Sequence, residues 1–145
     1  MLGLAAYSNW AIAQEVAKPA ILFQNARLFD GLELSTREGV SVLVQDGMIA
    51  DVTQGSLSAP DGAIVIDAGG LTLIPGLIDA HWHSMLASTP LPLMLTAAEG
   101  GIHLMAAAEA RRTLMRGSTT VRDAGGPAFP MKRAIDSGNV EGPRI

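Results

Sequence analysis

Apolar and polar positions along the chain follow two different rhythms, and the change falls near residue 75. Before it, short apolar runs alternate loosely and are punctuated by turn pairs. Ala20 to Phe29, with Ile21, Phe23 and Leu28, reads as a strand closed by Asp30-Gly31. Val40 to Val44 is rich in β-branched residues, and Met48 to Val52 returns after Asp46-Gly47, a pair that tolerates positive φ at both central positions of a tight hairpin. A Gly/Ser/Pro loop from Gly55 to Gly62 leads to Ala63 to Asp67, and a turn at Gly69-Gly70 is expected to send Leu71 to Ile74 back along it. Residues 20–75 therefore predict a small antiparallel β module of the sandwich type, with little helix signal.

From residue 76 the period changes. Leu77 to Ala80 is an apolar run that ends in His81-Trp82-His83, and Leu91 to Arg116 has helical spacing, expected in two pieces divided at Gly100-Gly101. Gly117 stands where a C′ glycine would stop the second piece. Thr119 to Asp123 is a β-branched strand, Gly125-Gly126-Pro127 breaks it, and Phe129 to Asp136 is a further helix closed near Gly138. Strand, helix, strand, helix at this spacing predicts βα units on a parallel sheet. The parity of Thr119 and Val121 carries Asp123 toward the mouth of that sheet and turns Arg122 toward its helices.

Composition narrows the function. With 145 residues, 48% hydrophobic and 17% charged, the chain has the makeup of a folded domain and not of a disordered one. Its 10 Lys+Arg against 14 Asp+Glu, without a basic block, exclude the electrostatic footprint of a nucleic-acid binder. There is no cysteine, so any metal must be held by histidine and carboxylate. The seven methionines are scattered and read as core filler. Residues 1–19 form an apolar N-terminal segment in which Ala11-Ile12-Ala13 matches a signal-peptidase pattern without the positive region that normally precedes it. As a signal remnant it implies a periplasmic or secreted protein; as a plain apolar arm it leaves the cytoplasm. The longest other uncharged stretch, Ala80 to Ala98, contains two His and two Pro, so no transmembrane span is expected.

The chemistry concentrates at the end of the first strand after the change of rhythm. Asp79, His81 and His83 share one face of a strand, so two imidazoles can converge on one ion. Imidazole nitrogen suits Zn²⁺ at about 2.0–2.1 Å, and a strand end holds such ligands stiffly. Asp79, one step deeper, could orient a ligand. A bare His-x-His is by itself a weak motif and reads more readily as a surface or packing pair. Asp123 is either a substrate-side residue or an aspartate bonded to the Gly125-Gly126 backbone. His103 has no second histidine four residues on and is expected to be an ordinary helix residue, as are the solvated Arg111 and Arg112. Nothing in the sequence favours a role in the site for Glu99 over solvent exposure.

Two segments carry a resemblance. Residues 75–83 read Pro-Gly-Leu-Ile-Asp-Ala-His-Trp-His, and residues 117–126 read Gly-x-Thr-Thr-Val-Arg-Asp-x-Gly-Gly. Following a β module, this pair resembles the amidohydrolase superfamily of metal-dependent hydrolases, and the second segment is most similar to its imidazolonepropionase-like and Xaa-dipeptidase-like branch. The resemblance implies an α/β fold in which residues 76–145 open an incomplete (β/α)8 TIM-type barrel with two βα units and part of a third. It implies one or two divalent ions, most naturally zinc, with His81 and His83 as ligands of the more buried one. The other ligands, a carboxylated lysine or glutamate, two further histidines and an aspartate, come from later strands in that family. The implied reaction is hydrolysis of a C–N bond in a small amide, cyclic amide or dipeptide by metal-bound hydroxide. Physical arithmetic agrees that parts are missing: a zinc site wants about four ligands and a whole barrel about 250 residues. The chain ends on Gly142-Pro143-Arg144-Ile145, where an apolar run is starting. It therefore reads as the N-terminal piece of such an enzyme, inactive alone, with the catalytic base elsewhere. The rival readings are a non-catalytic module whose barrel a partner chain completes, and a piece of a deaminase of the same superfamily.

Overall fold

The computed structural model describes residues 18–145 and divides into two units, one ending at Ile74 and one spanning Pro75–Ile145. The expectation of a signal remnant falls on residues outside those described. No helix among the described residues is long and apolar enough to cross a membrane.

The first unit is a five-stranded sheet built from β1 (Ile21–Leu28), β2 (Arg37–Gln45), β3 (Met48–Gln54), β4 (Ile64–Asp67) and β5 (Thr72–Leu73). The strands β1, β2 and β3 form the expected antiparallel meander, with Phe23 opposite Val42 and Val42 opposite Val52. Asp46 at φ 51° and Gly47 at φ 75° make the tight turn between β2 and β3, the twist-compatible geometry that such a pair allows. Its buried apolar residues, Leu22, Ala26, Val40, Val42 and Leu43, all come from the two central strands β1 and β2.

Gly69-Gly70 do not reverse the chain. Both β4 and β5 run parallel to β1, Ile21 pairing with Ile64 and Arg27 with Thr72. The reason lies in the backbone donors. Ala68 N–H donates to the Gln24 carbonyl and Gly70 N–H to the Asn25 carbonyl, each at 2.8 Å, so β1 keeps hold of the segment across the two glycines. Asn25, itself at φ 54°, bulges opposite them. The glycines thus make a kink within one edge and not a hairpin.

The second unit comprises β6 (Leu77–Trp82), α1 (Leu91–Thr96), α2 (Glu99–Met115), β7 (Ser118–Asp123) and α3 (Phe129–Asp136). β6 and β7 pair in parallel, with α1 and α2 in the connection between them. An isolated parallel bridge from Thr120 to Arg144 lays the residues around Arg144 alongside β7. Trp82, Met85, Ala106, Ala110, Val121 and Met131 make the core between sheet and helices. Met85 and Met131 fill it as expected of methionine, whereas Met48 and Met115 are exposed.

Three local expectations shift. The break between α1 and α2 falls at Ala97 and Ala98, both extended with ψ of 150° and 140°, and Gly100-Gly101 lie inside the first turn of α2. A first turn keeps unpaired N–H groups in any case, so glycine there disrupts little. Val121 packs against the helices, which leaves Arg122 exposed on the opposite side; the alternation along β7 is the inverse of the one expected. Register shifts on either side of Ile78–Asp79 accompany the pairing of β6 with β7, and simple parity does not anticipate them. Gly117 and Gly138, at φ 98° and 74°, end α2 and α3 as the spacing predicts. Gly76 lets β6 and β7 approach closely, since a Cβ there would fall 2.1 Å from Thr119 Oγ1.

Candidate metal site

The site forms where β6 and β7 both end. The strand ladder continues one step past β7, with Ala124 N–H donating to the Trp82 carbonyl at 2.7 Å. The His83 carbonyl then accepts from Leu86 and Ala87 N–H at 3.1 and 2.9 Å, closing a turn that fixes the backbone just beyond the histidine. Trp82 points into the core, and the neighbouring imidazoles stay accessible, His81 exposed and His83 half-buried.

The rings of His81 and His83 lie edge to face, their centroids 5.2 Å apart and their planes at 74°. His83 Nδ1 lies 3.1 Å from the Gly125 carbonyl oxygen. A carbonyl only accepts, so in the neutral ring Nδ1 carries the proton and Nε2 keeps a free lone pair. That is the tautomer a metal-ligating histidine adopts when its second nitrogen is tied to a carbonyl. The donor chemistry of this pair therefore fits a divalent ion such as zinc. Among the described residues no group of three or more His, Asp or Glu side chains comes together.

The two carboxylates bond to backbone and serine groups beside the histidines. Asp79 Oδ1 accepts from the His81 backbone N–H at 3.0 Å, which braces the peptide from which His81 projects and leaves the imidazole itself untouched. Asp123 bonds the Gly125 N–H through Oδ1 at 2.9 Å, as its place beside a glycine turn suggests. Its Oδ2 accepts from both the N–H and the hydroxyl of Ser84, at 2.7 and 2.5 Å. Burial works to raise the Asp123 pKa, but the Ser84 hydroxyl and N–H, the Gly125 N–H and nearby His83 together hold it below the usual carboxylate range. Ser84 and the Gly125 carbonyl are the participants that sequence reasoning missed. A serine directly after His-x-His, followed by an apolar turn, is a signal only once the partner strand is known. His103 donates from Nδ1 to the Glu99 carbonyl within α2 at 2.9 Å, and Arg111 and Arg112 pair with Glu141 and Glu109 on the exposed helix surface.

No family model matches the chain. It is 41% identical over 63 residues to a dihydroorotase of Geobacter sp. (strain M21), a match covering 43% of this chain and 14% of that protein. It is 39% identical over 59 residues to an imidazolonepropionase of Deinococcus deserti, covering 41% and 14% respectively. Among solved structures it is similar to an amidohydrolase, with a TM-score of 0.76 and 41% identity over 86% of this chain and 30% of that one. A prolidase complexed with N-methylphosphonate-L-proline matches with a TM-score of 0.74 and 30% identity, over 87% of this chain and 31% of the other. The chain spans less than a third of the length of each of these proteins. In fold and in sequence the chain is thus similar to proteins of the amidohydrolase type.

Proposed function

We propose that this chain supplies the opening βα units and the first two metal ligands, His81 and His83, to a metal-dependent hydrolase that cleaves C–N bonds in small molecules. The observation that carries this reading is the pairing of two adjacent imidazoles with a carbonyl that leaves His83 Nε2 free. Relatives named dihydroorotase and prolidase support a cyclic amide or an amino-acid amide as the substrate class. A bound zinc ion would supply a Lewis acid for the scissile carbonyl and a nucleophile generated from water at neutral pH. His81 and His83 would hold that ion at the strand end, Asp79 keeps the His81 peptide fixed, and the Gly125 carbonyl keeps the His83 ring turned. The remaining ligands and the group that takes the proton from water would come from residues other than those described.

The test is hydrolysis of a panel of Xaa-Pro dipeptides, N-acyl amino acids and cyclic ureides by the protein as the cell makes it, supplied with Zn²⁺. His81→Ala and His83→Ala should each lower turnover by about 100-fold or more, a loss of at least about 3 kcal/mol in transition-state stabilisation. The 145-residue chain by itself should show no turnover. Turnover that survives both substitutions, or that the isolated chain sustains, would overturn the reading.

A further inference from the structure

Asp123 bonds to both sides of His83 without touching its ring. Through Oδ2 it binds the N–H and hydroxyl of Ser84, the residue that follows His83 in the chain, and through Oδ1 it binds the N–H of Gly125. The carbonyl of that same Gly125 accepts the His83 Nδ1–H. Ser84 is wholly buried, so water cannot readily substitute for the carboxylate there. These bonds join positions 39, 2 and 42 residues apart and close a ring of contacts: His83 to Ser84 along the chain, Ser84 to Asp123, Asp123 to Gly125, and Gly125 back to His83.

We infer that Asp123 is a positioning residue: by fixing Ser84 and Gly125 it aims the Gly125 carbonyl at His83 Nδ1 and so keeps Nε2 free for a metal. Asp123 thereby serves the ligand from outside the coordination sphere, and not as a ligand or a substrate contact. Its use in metal binding rests on the proposed function, but the tautomer it sets does not, and the test reads the tautomer first.

The chain has three histidines, which gives the experiment an internal control. Nitrogen-15 NMR of the metal-free, full 145-residue chain at a pH where imidazole is neutral reports which ring nitrogen carries the proton. In the wild type, His83 and His103 should both show the Nδ1–H form, since each donates Nδ1–H to a carbonyl. In Asp123→Asn and Asp123→Ala, His83 should move toward a mixture of tautomers while His103 in α2 stays unchanged. A purely structural role for Asp123 would leave the His83 signature intact. If both Asp123 variants disturb His103, Ser84→Ala decides, because it removes a single bond to Oδ2: a shift at His83 alone supports the inference and no shift overturns it. In the same variants the affinity for Zn²⁺ should fall about 10- to 100-fold. A tautomer change without any effect on hydrolysis would sink the proposed function and leave the role of Asp123 standing. His83 remaining Nδ1–H in all three variants would overturn the inference whatever the enzyme does.

Discussion

In the β2–β3 hairpin of the first unit, strand meets strand through contacts near in the chain, Asp46-Gly47 folding β3 directly back on β2. At the end of the β6–β7 pair the decisive bonds join residues 39 to 42 positions apart, from His83 to Gly125 and from Ser84 to Asp123. The first kind of order is written in two neighbouring residues whose backbone preferences dictate a turn. The second exists only after α1 and α2 have brought two strands side by side. A functional site built in the second way stays stiff because its parts are held from opposite ends of a packed unit, and it is correspondingly sensitive to the packing beneath it.

That contrast can be broken or sharpened by substitution. The largest effect is expected at Trp82, which anchors the core under the histidines: Trp82→Ala should cost about 3–5 kcal/mol and abolish amide protection in β6 and β7. In the β module Leu22→Ala, at a fully buried position, should cost about 2–5 kcal/mol, read from the loss of protection in β1 and β2. Next comes Gly76→Ala, whose Cβ would overlap Thr119 Oγ1; it should destabilise the second unit by about 1–3 kcal/mol, and a second change of Thr119→Ala should recover part of that loss in chemical denaturation. Gly47→Ala places a Cβ at φ 75° in the local turn and should cost about 1–2 kcal/mol without altering any long-range bond of the site.

The smallest effect is electrostatic. The Arg116 hydrogen bond, opposed by partial burial and helped by the charges of Arg116 and Arg112, holds Glu109 below the ordinary glutamate range. A carboxylate depressed in the folded state stabilises that state above the unfolded pKa of about 4.3, and the contribution disappears as acidification titrates it through the lower folded value. Glu109→Gln should therefore lower stability at neutral pH by less than about 1 kcal/mol and should flatten the loss of stability on acidification. Melting temperatures of the two proteins from neutral pH down through the carboxylate range check this.

Much of this architecture was legible in residue order. The hairpin, the glycines that end α2 and α3, the parallel βα arrangement and the His81/His83 pair all follow from turn chemistry, periodicity and motif. What residue order could not supply was direction and wiring. Gly69-Gly70 look like a hairpin turn, yet β1 captures the backbone on both sides and makes them a kink. The phase of β7 depends on which face α2 and α3 cover, so Val121 and Arg122 exchanged their expected sides. Ser84 carries no signal of its own, because its partner lies on another strand.

The account turns on whether His81 and His83 take up a divalent ion together. Titration of Zn²⁺ into the nitrogen-15-labelled chain, followed at the three histidine rings, addresses this most directly. The Nε2 signal of His83 and a ring nitrogen of His81 should shift in step and saturate together, with His103 unmoved. Shifts that spread equally to His103, or rings at 81 and 83 that stay indifferent to zinc, would contradict it.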